Sequence, residues 1–153
     1  MCPSQYFLTG SFAYKRVGGL PSGRLRGVAV SDDGVSPCQG MDLQGPTALI
    51  KSAGEIYYIP IYGTLFNIKF LPSTQKIKED ITKLLVLIDV FLGDYGGENI
   101  QFNVIDSKTL LDAREHPKRY HNPVVRVAGY SALWVELTRE IQDEITKRTE
   151  HEL

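Results

Sequence analysis

The stretch RVAGYSALWVEL, Arg126 to Leu137, sets Gly129 between strand-forming residues, with the small Ala128 just before it. A residue with no side chain in a segment otherwise built for burial marks a bulge, a tight bend or a close backbone approach. Reactive residue types are sparse. His116, His121 and His151 are scattered without metal-ligand spacing and read as solvated. Cys2 and Cys38 are too few for a disulfide framework and lack the spacing of a metal site, which fits a reducing compartment. Cys38, in SPCQG, reads as an incidental small residue. The glycines of GGLPSGRLRG are followed by no helical pattern, so no phosphate-binding loop is expected. No bound cofactor and no metal site emerge from these residues.

The chain that must position Gly129 has 153 residues, 42% of them hydrophobic. That is enough for one domain burying roughly 70% of its unfolded surface. Seventeen basic against 18 acidic residues give a net charge of −1, and Arg24 and Arg26 are too small a patch to attract nucleic acid. The longest apolar run, ITKLLVLIDVFL, is interrupted by Lys83 and Asp89 and falls short of the ~20 residues that span a bilayer. The start, MCPSQYFLTG, lacks a positive region followed by an apolar stretch, so no export signal is read and a cytoplasmic location is expected.

Residues 15–47 are rich in glycine and proline and hold no hydrophobic period, which predicts turns and loop. From residue 63 the pattern is regular. GTLFNIKF alternates, with Phe66, Ile68 and Phe70 on one face and Leu65, Asn67 and Lys69 on the other. Pro72 and Ser73 open a helix with Ile81, Leu84, Leu85, Ile88 and Leu92 at helical spacing, which Gly93 can close. NIQFNVID is a second strand, with Ile100, Phe102 and Val104 opposite Gln101 and Asn103. Strand, helix, strand of these lengths predicts a parallel crossover and an α/β class. The organisation expected is a loop-rich segment, 1–62, and a strand-helix-strand unit with a C-terminal helix, 63–153, forming one structural unit.

Val86, Leu87 and Val90 lie off the main helical stripe, so this helix should be covered on more than one side. The polar strand faces with Asn67, Lys69, Gln101 and Asn103 either meet solvent or line an enclosed cavity; the pattern allows both. After Thr138 a last helix has only Ile141 and Ile145 as its apolar stripe, supported by Asp143 with Lys147 and Glu144 with Arg148 at i,i+4. About three turns long, it needs a docking surface.

VVRVAGYSALWVELTREIQDEITKRTEHEL closely resembles the C-terminal segment of glycyl radical enzymes, the family of pyruvate formate-lyase, glycerol and diol dehydratases, choline trimethylamine-lyase and arylacetate decarboxylases. DGVSPCQGMDLQGPTALIKS, GTLFNIKFLP and IQFNVID resemble the blocks that precede the radical loop, in the same order. The resemblance implies the C-terminal part of the family's barrel, with a radical loop, in which Gly129 stores an unpaired electron on its Cα. Arg126, Val127, Ala128, Tyr130 and Ser131 would support that loop, Arg126 by hydrogen bonds to carbonyls and Tyr130, with Trp134, by packing around it. It also implies an activating enzyme with an iron-sulfur cluster and S-adenosylmethionine that installs the radical. The stored radical then makes a thiyl on a cysteine of a separate loop, which attacks a small organic substrate.

Two departures bear on activity. The family's cysteine loop is not found here, Cys38 standing where the pattern does not put it, and LPSGR has Ser22 where the family usually has an aspartate. The leading expectation is therefore the radical-bearing part of a longer enzyme, inactive alone and partnered by the remainder of the barrel or a full-length homologue. RVAGYSA favours the dehydratase, decarboxylase and carbon-nitrogen lyase branches. The alternatives are a stand-alone carrier that repairs an oxygen-cleaved pyruvate formate-lyase-like enzyme, and a pyruvate formate-lyase-type acyltransferase fragment.

Overall fold

The computed structural model describes residues 17–21, 23–28, 30–32, 34–60, 63–72, 77–121 and 123–153. Ser22, Cys2 and the helix start expected at Ser73 lie outside the described residues. Helix α1 is Pro46–Gly54, strand β1 Asn67–Phe70, helix α2 Ile77–Asp89, strand β2 Gln101–Val104 and helix α3 Ser107–Glu115. Strands β3, Val124–Arg126, and β4, Ser131–Leu133, precede helix α4, Arg139–Lys147, and strand β5, Glu150–His151. β1 lies at the centre of a parallel sheet ordered β2-β1-β5, while β3 and β4 form an antiparallel hairpin. The parallel crossover expected from sequence is present, with Asn67 opposite Gln101 and Lys69 opposite Asn103. Among the described residues no helix is long and apolar enough to cross a membrane.

The two faces of the sheet are both covered, by different things. On the apolar face Phe66, Ile68 and Phe70 pack with Ile50 and Ala53 of α1 and with Phe91, and Leu84, Leu87 and Val90 close over them. Phe91 belongs to a π-helical turn, Val90–Asp94, that continues α2. Gly93 therefore does not end the helix; the turn runs past it to Tyr95. A Cβ on Gly54 would stand 2.4 Å from the Tyr95 ring, so only glycine lets α1 end against it.

Helix α2 is rotated from the orientation its sequence stripe predicts. Leu84, Leu87 and Phe91 face the core, while Ile81, Leu85, Val86 and Leu92 are exposed. Periodicity found an apolar face but the helix is apolar nearly all round, and the packed side was the one with Phe91.

The opposite, polar face of the sheet is buried as well. Asn67, Lys69, Gln101 and Asn103 are at most 6% exposed; the hairpin meets Asn67 and Asn103, and Glu150 of β5 meets Lys69. A second core sits beyond this polar layer, where Val125, Val127 and Trp134 meet Leu110 and Ala113 of α3 and Ile141 and Ile145 of α4. This is the docking surface α4 needs. Glu144 pairs with Arg148 as its spacing predicts, whereas Asp143 pairs with Arg114 of α3 at 2.7 Å.

Candidate functional site

Gly129 is at the tip of the hairpin. Arg126 faces Ser131 in the ladder, Val127 N donates to Tyr130 O at 2.9 Å, and only Ala128 and Gly129 remain to turn the chain. Gly129 has φ 78°, the left-handed region where a side chain is strained. The residue is exposed, with Val127 and Ala128 buried behind it. Tyr130 is 46% exposed, whereas Trp134 is fully buried in the core with Val125 and Val127. The Arg126 guanidinium donates to the Ser131 hydroxyl at 2.9 Å, across the hairpin rather than to a carbonyl.

The hairpin stem is held by side chains from the polar face of the sheet. Asn103 brackets Arg126, accepting from its N–H and donating to its carbonyl, both at 2.8 Å. Asn67 donates to the Val127 carbonyl at 3.3 Å and to Asp32 at 2.9 Å. Arg148, just beyond α4, reaches the Arg126 and Val127 carbonyls at 3.3 and 3.0 Å. Its guanidinium also meets Asp32 and Glu144 at 2.9 Å each. Around these groups is a cavity of about 20 Å³ lined by Asp32, Asp42, Cys38, Lys69, Glu144 and Arg148 among others.

Burial governs the charges here. It raises the Glu144 carboxyl; Arg148 offsets this only in part, and the nearby Asp32 charge adds to the rise. Burial also lowers the Lys69 ammonium, against the opposing pull of Glu150 at 3.0 Å. Glu150 is pushed up by burial too, but hydrogen bonds from Ser107 and Lys69 outweigh that and hold it low. His151 is buried at 4% exposure and bonded to Asp42 at 3.0 Å, so the solvated reading of this residue is wrong. Its partner lies 109 residues away, a distance no local pattern reports. His116 is half-exposed beside Asp112 at 2.9 Å, and Cys38 is exposed. Among the described residues no group of three or more metal-ligating side chains is placed to hold an ion.

A family model described as "Glycine radical" matches residues 31–135, a span that includes the hairpin tip. The chain belongs to the glycine radical family. It is 42% identical over 134 residues to a probable dehydratase, YbiW, of Escherichia coli (strain K12), covering 87% of this chain and 16% of that protein. It is 42% identical over 134 residues to trans-4-hydroxy-L-proline dehydratase of Clostridioides difficile, covering 88% and 17%. The glycerol-bound B12-independent glycerol dehydratase of Clostridium butyricum superposes with a TM-score of 0.85 at 41% identity, over 94% of this chain and 18% of that one. The glycine radical chain thus spans less than a fifth of the relatives it matches, with the mixed α/β fold of the C-terminal part of those barrels.

Sequence reasoning found the turn but missed the clamp around it. Asn67 and Asn103 were visible as polar residues in otherwise strand-like runs, and that signal was available. Asp32 and Arg148 gave none, since their meeting depends on the tail crossing the sheet.

Proposed function

We propose that this chain is the radical-storing portion of a glycyl radical enzyme of the dehydratase, decarboxylase or carbon-nitrogen lyase branch, with Gly129 as the radical residue. The observation that carries the proposal is the placement of Gly129 at an exposed two-residue turn with φ 78°, on a stem held by buried polar side chains. Loss of one Cα hydrogen leaves a planar carbon whose spin spreads into the adjoining amide nitrogen and carbonyl. A side chain would crowd the abstracting group and oppose planarity; glycine does neither. Exposure at a hairpin tip gives an abstracting partner access. That partner is an activating enzyme in which a reduced iron-sulfur cluster cleaves S-adenosylmethionine, and the resulting carbon radical takes the hydrogen.

In the working enzyme the Gly129 radical takes the hydrogen of a cysteine thiol, leaving a thiyl that begins reaction on a small organic substrate. The remainder of the enzyme supplies that cysteine and the substrate pocket. The relatives named dehydratases, with an indoleacetate decarboxylase of Tractidigestivibacter scatoligenes at 40% identity, support the branch.

Anaerobic treatment with a matched activase, S-adenosylmethionine and reductant should give an organic radical split mainly by one remaining Cα hydrogen. Gly129→Ala should abolish it. Air should then cut the chain at Gly129 and release, on denaturation, a tail of 153 − 129 = 24 residues. A radical that survives Gly129→Ala, or scission elsewhere, overturns the assignment.

A further inference from the structure

We infer that Arg148 is the positioning residue of the Gly129 hairpin, fixing the tip through the carbonyls of Arg126 and Val127. Its importance for the radical rests on the reading of Gly129 above. A hairpin of two three-residue strands is marginal by itself, so its orientation must come from contacts at its stem. The two carbonyls that lead into the turn each have two donors. Arg126 O accepts from Asn103 at 2.8 Å and Arg148 at 3.3 Å, and Val127 O accepts from Arg148 at 3.0 Å and Asn67 at 3.3 Å. Arg148 is the group common to both.

The guanidinium is itself fixed. Its Nε and Nη2 donate to the two oxygens of Glu144, both at 2.9 Å, and Nη2 is 2.9 Å from Asp32. Only 10% of its side chain is exposed. Its backbone caps the end of α4 and is followed at once by β5, whose Glu150 is in register with Lys69 of β1. Arg148 therefore ties the hairpin to the central strand, to α4 and to the Asp32 loop together. A planar fork of five N–H groups can serve two carbonyls and two carboxylates at fixed angles, which a lysine ammonium on a flexible stem cannot.

Hydrogen-deuterium exchange on the full chain tests this without any radical. Arg148→Lys and Arg148→Gln should speed exchange in peptides covering residues 126–131 by about tenfold or more, because local opening reports the lost contacts. Peptides covering β1 serve as the reference and should keep the wild-type rate. Asn103→Ser, which removes a second donor to Arg126 O without changing charge, should loosen the same peptides. If Arg148→Gln also disturbs the reference, Arg148→Lys decides. Wild-type exchange at residues 126–131 in Arg148→Lys overturns the inference, whatever Asn103→Ser does.

In the activated protein, Arg148→Lys should leave the splitting of the radical unchanged while its decay under anaerobic conditions becomes about tenfold faster, since a more mobile tip is quenched more readily. Unchanged decay with loosened exchange would also overturn a role in guarding the radical. Absence of any radical in wild type would count against Gly129 itself and leave the exchange result standing.

Discussion

Substituting Gly129 separates backbone geometry from chemistry. At φ 78° an L side chain in the left-handed region costs about 1–2 kcal/mol. Alanine also narrows the unfolded ensemble, recovering about 0.4–1 kcal/mol. The net loss for Gly129→Ala then lies between about 0 and 1.6 kcal/mol, or a fall in Tm of up to about 6 °C for a chain of this size. Asparagine tolerates the left-handed region and should cost less than alanine, while β-branched valine should cost more. Urea unfolding of the Gly, Asn, Ala and Val series, with a constant slope, measures the order directly. A valine variant as stable as glycine would show that the turn does not require positive φ. A loss above about 4 kcal/mol, in the range reserved for core disruption, would show that the tip is packed rather than exposed. Within the expected range, loss of a radical signal in Gly129→Ala is chemical and not a failure to fold.

Two further outcomes follow from the surrounding structure. Burial raises the Glu144 carboxyl, so at pH values between its ordinary and its folded value the folded state holds a proton that the unfolded chain has released. Stability from this group is therefore full below the ordinary glutamate value near about 4.3 and falls as pH rises through the higher folded value. Glu144→Gln should flatten that part of the curve in a comparison of urea midpoints from pH 4 upward, and parallel curves would refute the assignment. The exposed stripe of α2 should drive self-association of the chain alone, since Ile81 is 52% and Leu85 60% exposed. Leu85→Lys should shift sedimentation toward monomer with stability changed by less than about 0.5 kcal/mol, and unchanged association would show that another surface is responsible.

The legible parts of the fold were those carried by local period. Alternation in GTLFNIKF and NIQFNVID gave two strands, and they pair in parallel. The same alternation could not say which face was wet. Asn67 and Asn103 meet the hairpin and Lys69 meets Glu150 of β5, all arriving from far along the chain, while the buried Gln101 bonds its near neighbour Asn99. His151 was misread for the same reason, since a lone histidine near the end of the chain carries no trace of Asp42. In α2 the signal was present in excess, and four apolar sides cannot indicate which one packs. Gly129 was legible because a residue without a side chain among strand formers is informative whatever surrounds it. Its clamp was not, because Arg148 is one of several charged residues in and just beyond a polar helix until β5 fixes its register with β1.

The interlocking of the tail has a further consequence. Everything after Gly129 is woven into elements that precede it: β4 pairs with β3, Ile141 and Ile145 enter the core with Leu110 and Val125, and β5 lies beside β1. His151 meets Asp42 and Arg148 meets Asp32 across the same seam. A backbone break at Gly129 therefore severs one bond of a molecule that remains stitched together by its core. The nicked protein would run as a single particle on native sizing and as two pieces only after denaturation. Because the damaged tail keeps its place, an intact replacement would have to displace it strand by strand, so that lesion and repair compete for one seat.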